Sequence, residues 1–157
     1  MKIGLISDTH DNMTAIKKAV AYFNKERVDA VIHAGDFVAP FAADEFNKLN
    51  CPFIGVFGNN DGEVKGLTNT LKGRIYKPPK EIILGGKKII IVHDIKILPK
   101  NIDADIVVYG HLHKQKSEMI GKTLYINPGE ACGWLTGSGT ISLLDTDTME
   151  VTDITAL

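Results

Sequence analysis

The stretch Lys2-Ile3-Gly4-Leu5-Ile6-Ser7-Asp8-Thr9-His10 changes character after its fifth residue. Lys2–Ile6 is a short, mostly apolar run of strand length, and the residues after it are small, acidic or imidazole-bearing. The same change recurs along the chain. Ala30–Ala34 runs into Gly35-Asp36, and Phe53–Phe57 runs into Gly58-Asn59-Asn60-Asp61. Ile89–Val92 meets His93-Asp94, and Ile106–Tyr109 meets Gly110-His111-Leu112-His113. Five strand-like runs thus end in Asp, Asn or His.

What lies between the first three runs is helical. Asn12–Lys25 places Ile16, Ala19, Val20 and Phe23 on one face, and Phe41–Leu49 follows Pro40 as a second helix. Strands separated by helices imply right-handed crossovers and a parallel sheet. The second half is different. Glu81–Leu84 and Lys87–Val92 flank Gly85-Gly86 as a hairpin, and Ile106–Tyr109, Thr123–Ile126, Thr140–Leu144 and Glu150–Ile154 come after it with little helical periodicity. The expected architecture is an α/β half against a more antiparallel half, with two sheets face to face and helices outside.

At 157 residues the chain fits one domain, taken as 1–157. A 44% hydrophobic and 24% charged composition is that of a globular protein, and a net charge of −1 gives no basic field for nucleic acid. Cys51 and Cys132 make neither a disulfide framework nor a Cys-x-x-Cys metal knuckle, and they read as reduced thiols. No leader-like segment and no apolar run of membrane-spanning length is visible, so the expected compartment is the cytoplasm and no membrane partner is expected.

In parallel strands joined by helices, all carboxyl ends share one edge of the sheet, where α/β folds bind ligands. The polar strand ends therefore converge. Asp8/His10 and His111/His113, each spaced i, i+2, point to one side if the backbone there stays extended. Imidazole with carboxylate suits Mn, Fe, Co, Ni or Zn, and the lack of nearby thiolates argues against a structural Cys-type site. Asp8, His10, Asp36, Asn59, His93, His111 and His113 are too many ligands for one tetrahedral ion and suit two ions sharing a carboxylate. Two ions about 3.5–4 Å apart form a clamp for in-line attack at phosphorus. Taken singly, each residue has an ordinary reading: a cap neighbour, a surface histidine, a turn at Gly58–Gly62. His33 lies inside a strand and is left out as a core histidine. No Gly-x-Gly-x-x-Gly follows the first strand, and Gly137-Ser138-Gly139 lacks the setting of a nucleophile elbow.

The ordered set Asp8-Thr9-His10, Gly35-Asp36, Gly58-Asn59-Asn60-Asp61, His93 and Gly110-His111-Leu112-His113 resembles the signature of the calcineurin-like metallophosphoesterases, in particular their compact bacterial and archaeal phosphodiesterases. Ile126-Asn127-Pro128-Gly129 resembles that group's late motif. The resemblance implies a four-layer α/β/β/α sandwich of two packed mixed sheets flanked by helices. It implies one divalent ion on Asp8, His10, Asp36 and His113 and a second on Asp36, Asn59, His93 and His111, with Asp36 bridging. It implies hydrolysis of a small phosphodiester by a hydroxide held between the ions, nucleic acid entering only as substrate, and a homodimer or homotetramer. Asp36, Asn59, Asn60 and Asp61 are the expected catalytic residues, and Asn60 and His111 the expected substrate contacts.

The departures from the family pattern are informative. Asn60 stands where many members have a histidine that protonates the leaving group; an amide cannot, which favours diesters over monoesters. Asp94 stands where glycine is usual and reads either as a carboxylate orienting His93 or another ligand, or as a solvated loop residue. Leu112 replaces a common threonine, and Glu130 replaces a serine and adds negative charge near the site. Trp134, on a glycine-rich loop, reads as a contact for a nucleobase, for a partner subunit or for the core, with the core as the default. The competing readings are a protein-binding scaffold of the same fold, disfavoured because every ligand position is filled, and a phosphomonoesterase, disfavoured by Asn60.

Overall fold

Asn12 starts the first helix. Its side-chain oxygen accepts from the Ala15 amide at 3.2 Å, which makes it the cap rather than the first helical residue. The helix α1 (Met13–Glu26) ends where Arg27 turns left-handed. It buries Ala15, Ile16, Ala19, Val20 and Phe23, the face its periodicity predicts. Phe23 presses on β1 (Lys2–Ile6) so closely that a Cβ on Gly4 would lie 2.7 Å from the ring.

The computed structural model describes residues 1–155; Ala156 and Leu157, the end of the expected 1–157 domain, lie outside the described residues. After α1 come β2 (Ala30–His33), the short α2 (Pro40–Ala43), β3 (Phe53–Val56), α3 (Val64–Thr70) and β4 (Ile75–Tyr76). The remaining strands are β5 (Lys80–Leu84), β6 (Lys87–Ile91), β7 (Ile106–Val108), β8 (Gln115–Ile120), β9 (Thr123–Pro128), β10 (Thr140–Asp145) and β11 (Val151–Thr155).

These strands form two mixed sheets, as expected. One has the order β11-β10-β1-β2-β3-β4, the other β5-β6-β7-β9-β8. In the first, β1 to β4 run parallel and β10 returns antiparallel to β1. In the second, β6, β7 and β9 run parallel while β5 and β8 are antiparallel edges. Alternation along the strands sends Ile3, Leu5, Ile32 and Val56 into the same buried cluster as Ile89, Ile91, Ile106, Val108 and Ile126, so the sheets share one core. The other face of the first sheet packs on α1, α3 and the segment after α2 through Phe23, Leu67 and Phe46. The outer face of the second is covered by Ile95, Leu98, Ile102 and Ala104, a segment whose one regular piece is the 3₁₀ turn Ile95–Ile97. Among the described residues no helix is long and apolar enough to cross a membrane.

The expected helix 41–49 is broken in two. After α2 the chain tightens into a 3₁₀ turn, Asp44–Lys48, which puts Phe46 fully inside and leaves Phe41 64% exposed. Asn47 ties this turn to Asp44 Oδ1 and to the Thr70 carbonyl. A polar side chain with tertiary partners overrides the helical pattern here.

Candidate metal centre

Parallel register brings the strand ends level. Ile6 pairs with His33, Ile91 with Val108, and Val108 with Ile126. The polar residues after them meet at one edge between the two sheets. They meet by a different local geometry from the extended one expected. Asp8, His10, Asp36, His111 and His113 all have positive φ, between 38° and 69°. Left-handed backbone at a non-glycine residue costs roughly 1–2 kcal/mol. It turns each side chain sharply off its strand, and such strain persists where the surroundings over-determine it.

The surroundings do so here. Asp8 N donates to the Gly35 carbonyl, Thr9 N and His10 N donate to that of Asp36, and Asp11 N to that of Phe37, all at 3.0–3.2 Å. His111 N donates to the Asp8 carboxylate at 3.1 Å. Asp61 is placed otherwise than expected for a catalytic carboxylate. Its oxygens accept from the backbone amides of Asp36, Phe37, Val38 and Gly58 at 2.7–3.0 Å, so it holds two site loops together and is spent on that task. Gly58 is required where it stands, since a Cβ there would lie 2.1 Å from Asp36 Oδ1.

The side chains then converge. His113 Nε2 lies 3.4 Å and His10 Nε2 3.9 Å from Asp8 Oδ1. Asp36 Oδ2 stands 3.5 Å from His10 Nε2 and 3.3 Å from His93 Nε2. Among the described residues, three donor groups have ligand atoms close enough to share an ion: His113, Glu130 and Cys132 at one side, and at the centre two groups, Asp8, His10 and His113, and Asp8, Asp36 and His93. Asp8 is common to the two central groups, while Asp36 lies between two imidazoles. Asn59 Oδ1 is 3.0 Å from His93 Nε2. The His111 ring meets that of His93 edge-on at 5.1 Å and is partly exposed at the rim.

Among the described residues His10 Nε2 has no hydrogen-bond partner; it is buried and faces two carboxylates. A buried polar atom is rarely left so, and a position between imidazole and two carboxylates fits a divalent cation. The other imidazoles are set for the same task. The Ala34 carbonyl, an acceptor only, accepts from Nδ1 of His93 at 2.8 Å and so turns Nε2 toward Asp36 and Asn59. Glu130 Oε2 accepts from that of His113 at 2.9 Å. Metal-binding histidines are commonly oriented in this way.

Electrostatics agree. Burial pushes the Asp8 carboxyl up, against the opposing pull of Ser7 and of the His93 and His113 rings. Burial pushes Asp36 up too, but the His93 bond and charge and the two Asn60 donors outweigh it, so its pKa is lowered. Burial would lower His93, yet Asp36 holds it raised. Glu130 falls to about 2: burial opposes, and the bonds from His113, Thr136 and Cys132 prevail. Cys132 is pushed up to about 12, by burial first and then by Glu130. It stays a thiol that donates to Glu130 rather than a thiolate ligand.

Several residues differ from their sequence reading. Asn60 gives both its backbone amide and its Nδ2 to Asp36, at 2.9 and 2.8 Å. Asp94 stays within its reading: it accepts from Lys96 N and stands 4.0 Å from His111, another of the expected ligands, rather than against His93. Trp134 is not in the core: it is 63% exposed, its ring 6.1 Å from that of His10. Glu130, read as a charge near the site, is wholly buried and orients His113. The signal for it was present, since Gly129-Glu130 follows a strand end just as Gly35-Asp36 does. His33 is the buried histidine expected, between Thr9 Oγ1 and the Gly35 amide, with its pKa well lowered by burial.

Known proteins resemble this chain in sequence and fold. Residues 1–149 match the model of the calcineurin-like phosphoesterase superfamily domain. A phosphodiesterase of Methanocaldococcus jannaschii is 42% identical over 98% of each chain. Phosphodiesterase YfcE of Escherichia coli is 26% identical over 96% of this chain and 91% of its own. A solved structure described as a novel archaeal phosphodiesterase superposes with a TM-score of 0.92 at 42% identity, covering 99% of each chain.

Proposed function

The chain belongs to the calcineurin-like phosphoesterase superfamily, and from that premise we propose that it is a metal-dependent phosphodiesterase. The observation that carries the reading is the unpartnered His10 Nε2 set between Asp8 and Asp36. Asp8, His10, Asp36 and His113 would hold one divalent ion, and Asp36, Asn59, His93 and His111 a second, with Asp36 shared. Imidazole and carboxylate donors suit Mn, Ni, Fe, Co or Zn. When bound, such ions supply Lewis-acid charge that makes water nucleophilic near neutral pH and draws charge from phosphoryl oxygens.

The chain's own groups do the rest. Ala34 and Glu130 hold the His93 and His113 rings in register. Asp61 keeps the Asp36 and Gly58 loops together as a positioning residue. His111 stands at the rim, where a phosphate oxygen would arrive. Asn60 offers no titrating proton to a leaving group, and its amide is spent on Asp36. That disfavours monoesters with poor leaving groups, and a diester is the substrate class this reading takes. On this reading 1–157 act as one domain in the cytoplasm on a small phosphodiester, with nucleic acid only as substrate, and assemble as a homodimer or homotetramer.

The test is hydrolysis by protein stripped of metal and refilled with Mn, Ni, Co, Zn or Mg. Bis(p-nitrophenyl) phosphate is compared with p-nitrophenyl phosphate. Metal-restored turnover of the diester, exceeding that of the monoester, is expected. Asp36→Asn should lower it by more than the 10–100-fold that loss of a metal ligand's outer partner costs. Near-normal turnover in that variant would sink the bridging assignment. No turnover and no metal binding in the parent would point to a protein-binding scaffold.

A further inference from the structure

Trp134 and Leu135 stand in the open beside the metal donors, 63% and 76% exposed. The indole is tilted 31° to the His10 ring, with centroids 6.1 Å apart. Together with His10, His113, Glu130 and Cys132 the pair lines a cleft of about 230 Å³. Neither lysine nor arginine is among these lining residues, so the cleft offers no cation to compete for a phosphate.

The exposure is built, not incidental. The carboxylate of Glu130 is wholly buried, and it accepts from Leu135 N at 2.9 Å and from Thr136 N as well as from His113. On the near side, Asn12 Nδ2 donates to the Cys132 carbonyl at 2.9 Å. Burying a charge is costly unless it is fully paired. Here one buried charge fixes both a metal-donor imidazole and the loop that carries the indole. The cleft is also smaller than the roughly 300–1,000 Å³ of a site that encloses a drug-sized ligand. It suits one ring system of a larger molecule whose phosphate lies elsewhere.

We propose that this cleft is the subsite for a planar ring, a nucleobase, on the substituent that stays on phosphorus, stacked against Trp134 with its phosphate at the Asp and His donors. It rests on the phosphodiesterase reading. It adds that diesters bearing such a ring are preferred and assigns the preference to Trp134, supported by Leu135.

Trp134 is the only tryptophan in the chain, so its fluorescence reports this cleft alone. Metal-loaded protein is titrated with adenosine 5′-monophosphate, ribose 5-phosphate and inorganic phosphate. The nucleotide should change the emission and bind about tenfold or more tighter than the sugar phosphate, which is within the range of base stacking. Equal responses to all three would overturn the proposal. Emission that shifts with protein concentration but not with nucleotide would also overturn it, and would assign the patch to a second copy of the chain. In the second arm, thymidine 5′-(p-nitrophenyl phosphate) is compared with methyl p-nitrophenyl phosphate. The kcat/KM ratio favouring thymidine should fall about tenfold in Trp134→Ala and survive in Trp134→Phe. An unchanged ratio in Trp134→Ala rejects the subsite. If neither diester is turned over with any metal, the phosphodiesterase reading fails, while the emission titration still decides whether the cleft takes a ring.

Discussion

Glu130 orients His113 and pins the Trp134 loop from a position with no solvent contact. Glu130→Gln should therefore weaken metal binding about 10–100-fold, measured by competition with a chromophoric chelator. In the metal-free protein the effect should depend on pH with a definite sign. The folded-state pKa is lowered, from 4.5 to about 2, so the carboxylate's contribution to stability is fully present above 4.5 and fades as pH falls toward 2. Urea unfolding should show the parent and Glu130→Gln differing most near pH 7 and converging as the medium is acidified. Asn60→His is a different kind of test. It should raise monoester hydrolysis relative to diester, and an unchanged ratio would show that position 60 does not set the preference. Most site residues were legible because each follows an apolar run, which the chain order displays. What was not legible is the work that backbone amides give to carboxylates. Nothing in Gly58–Asp61 tells that Asp61 will accept four amides from two loops.

Among the elements, α1 and β1 are joined by one close approach. Gly4→Ala puts a methyl group 2.7 Å from the Phe23 ring. Thermal or urea unfolding should show a loss of about 1–3 kcal/mol, the usual cost of overpacking a filled core. Helix α1 could be read from its period and its asparagine cap. Helix α3 could not: it buries only Leu67 and carries Gly66, so neither period nor propensity marks it. Strand β8 was invisible for a related reason. It is an edge strand with a polar sequence, Gln115–Ile120, and without a buried face there is no alternation to detect. The loops after β1, β2 and β7 hold the left-handed residues, and no pattern of residue types announces a left-handed aspartate or histidine.

Across the whole molecule, the two sheets act as one support for the site, because the core between them is shared. Metal binding should then stabilise the entire fold. An ion that binds only the native state at a hundred times its Kd adds about 2.7 kcal/mol. Calorimetry should show Tm rising with Mn or Ni and falling with a chelator, and the shift should vanish in Asp36→Asn. A Tm indifferent to metal would contradict the ligand assignment. The two-sheet plan was legible because the first half alternates strand with helix and the second half does not. The long return of β10 to β1 was not, since pairing between residues 3 and 144 leaves no local trace.

That return has a consequence in time. A ribosome releases the amino end first, so β1 meets β2 early, but its other edge waits for Thr140–Asp145. At about 5–20 residues per second the wait from β2 is roughly 6–22 s. Throughout it a hydrophobic strand destined for the middle of a sheet has one bare margin, open to any extended chain nearby. The nascent protein has most need of a chaperone during that interval, and a fragment lacking β10 would keep that need for good.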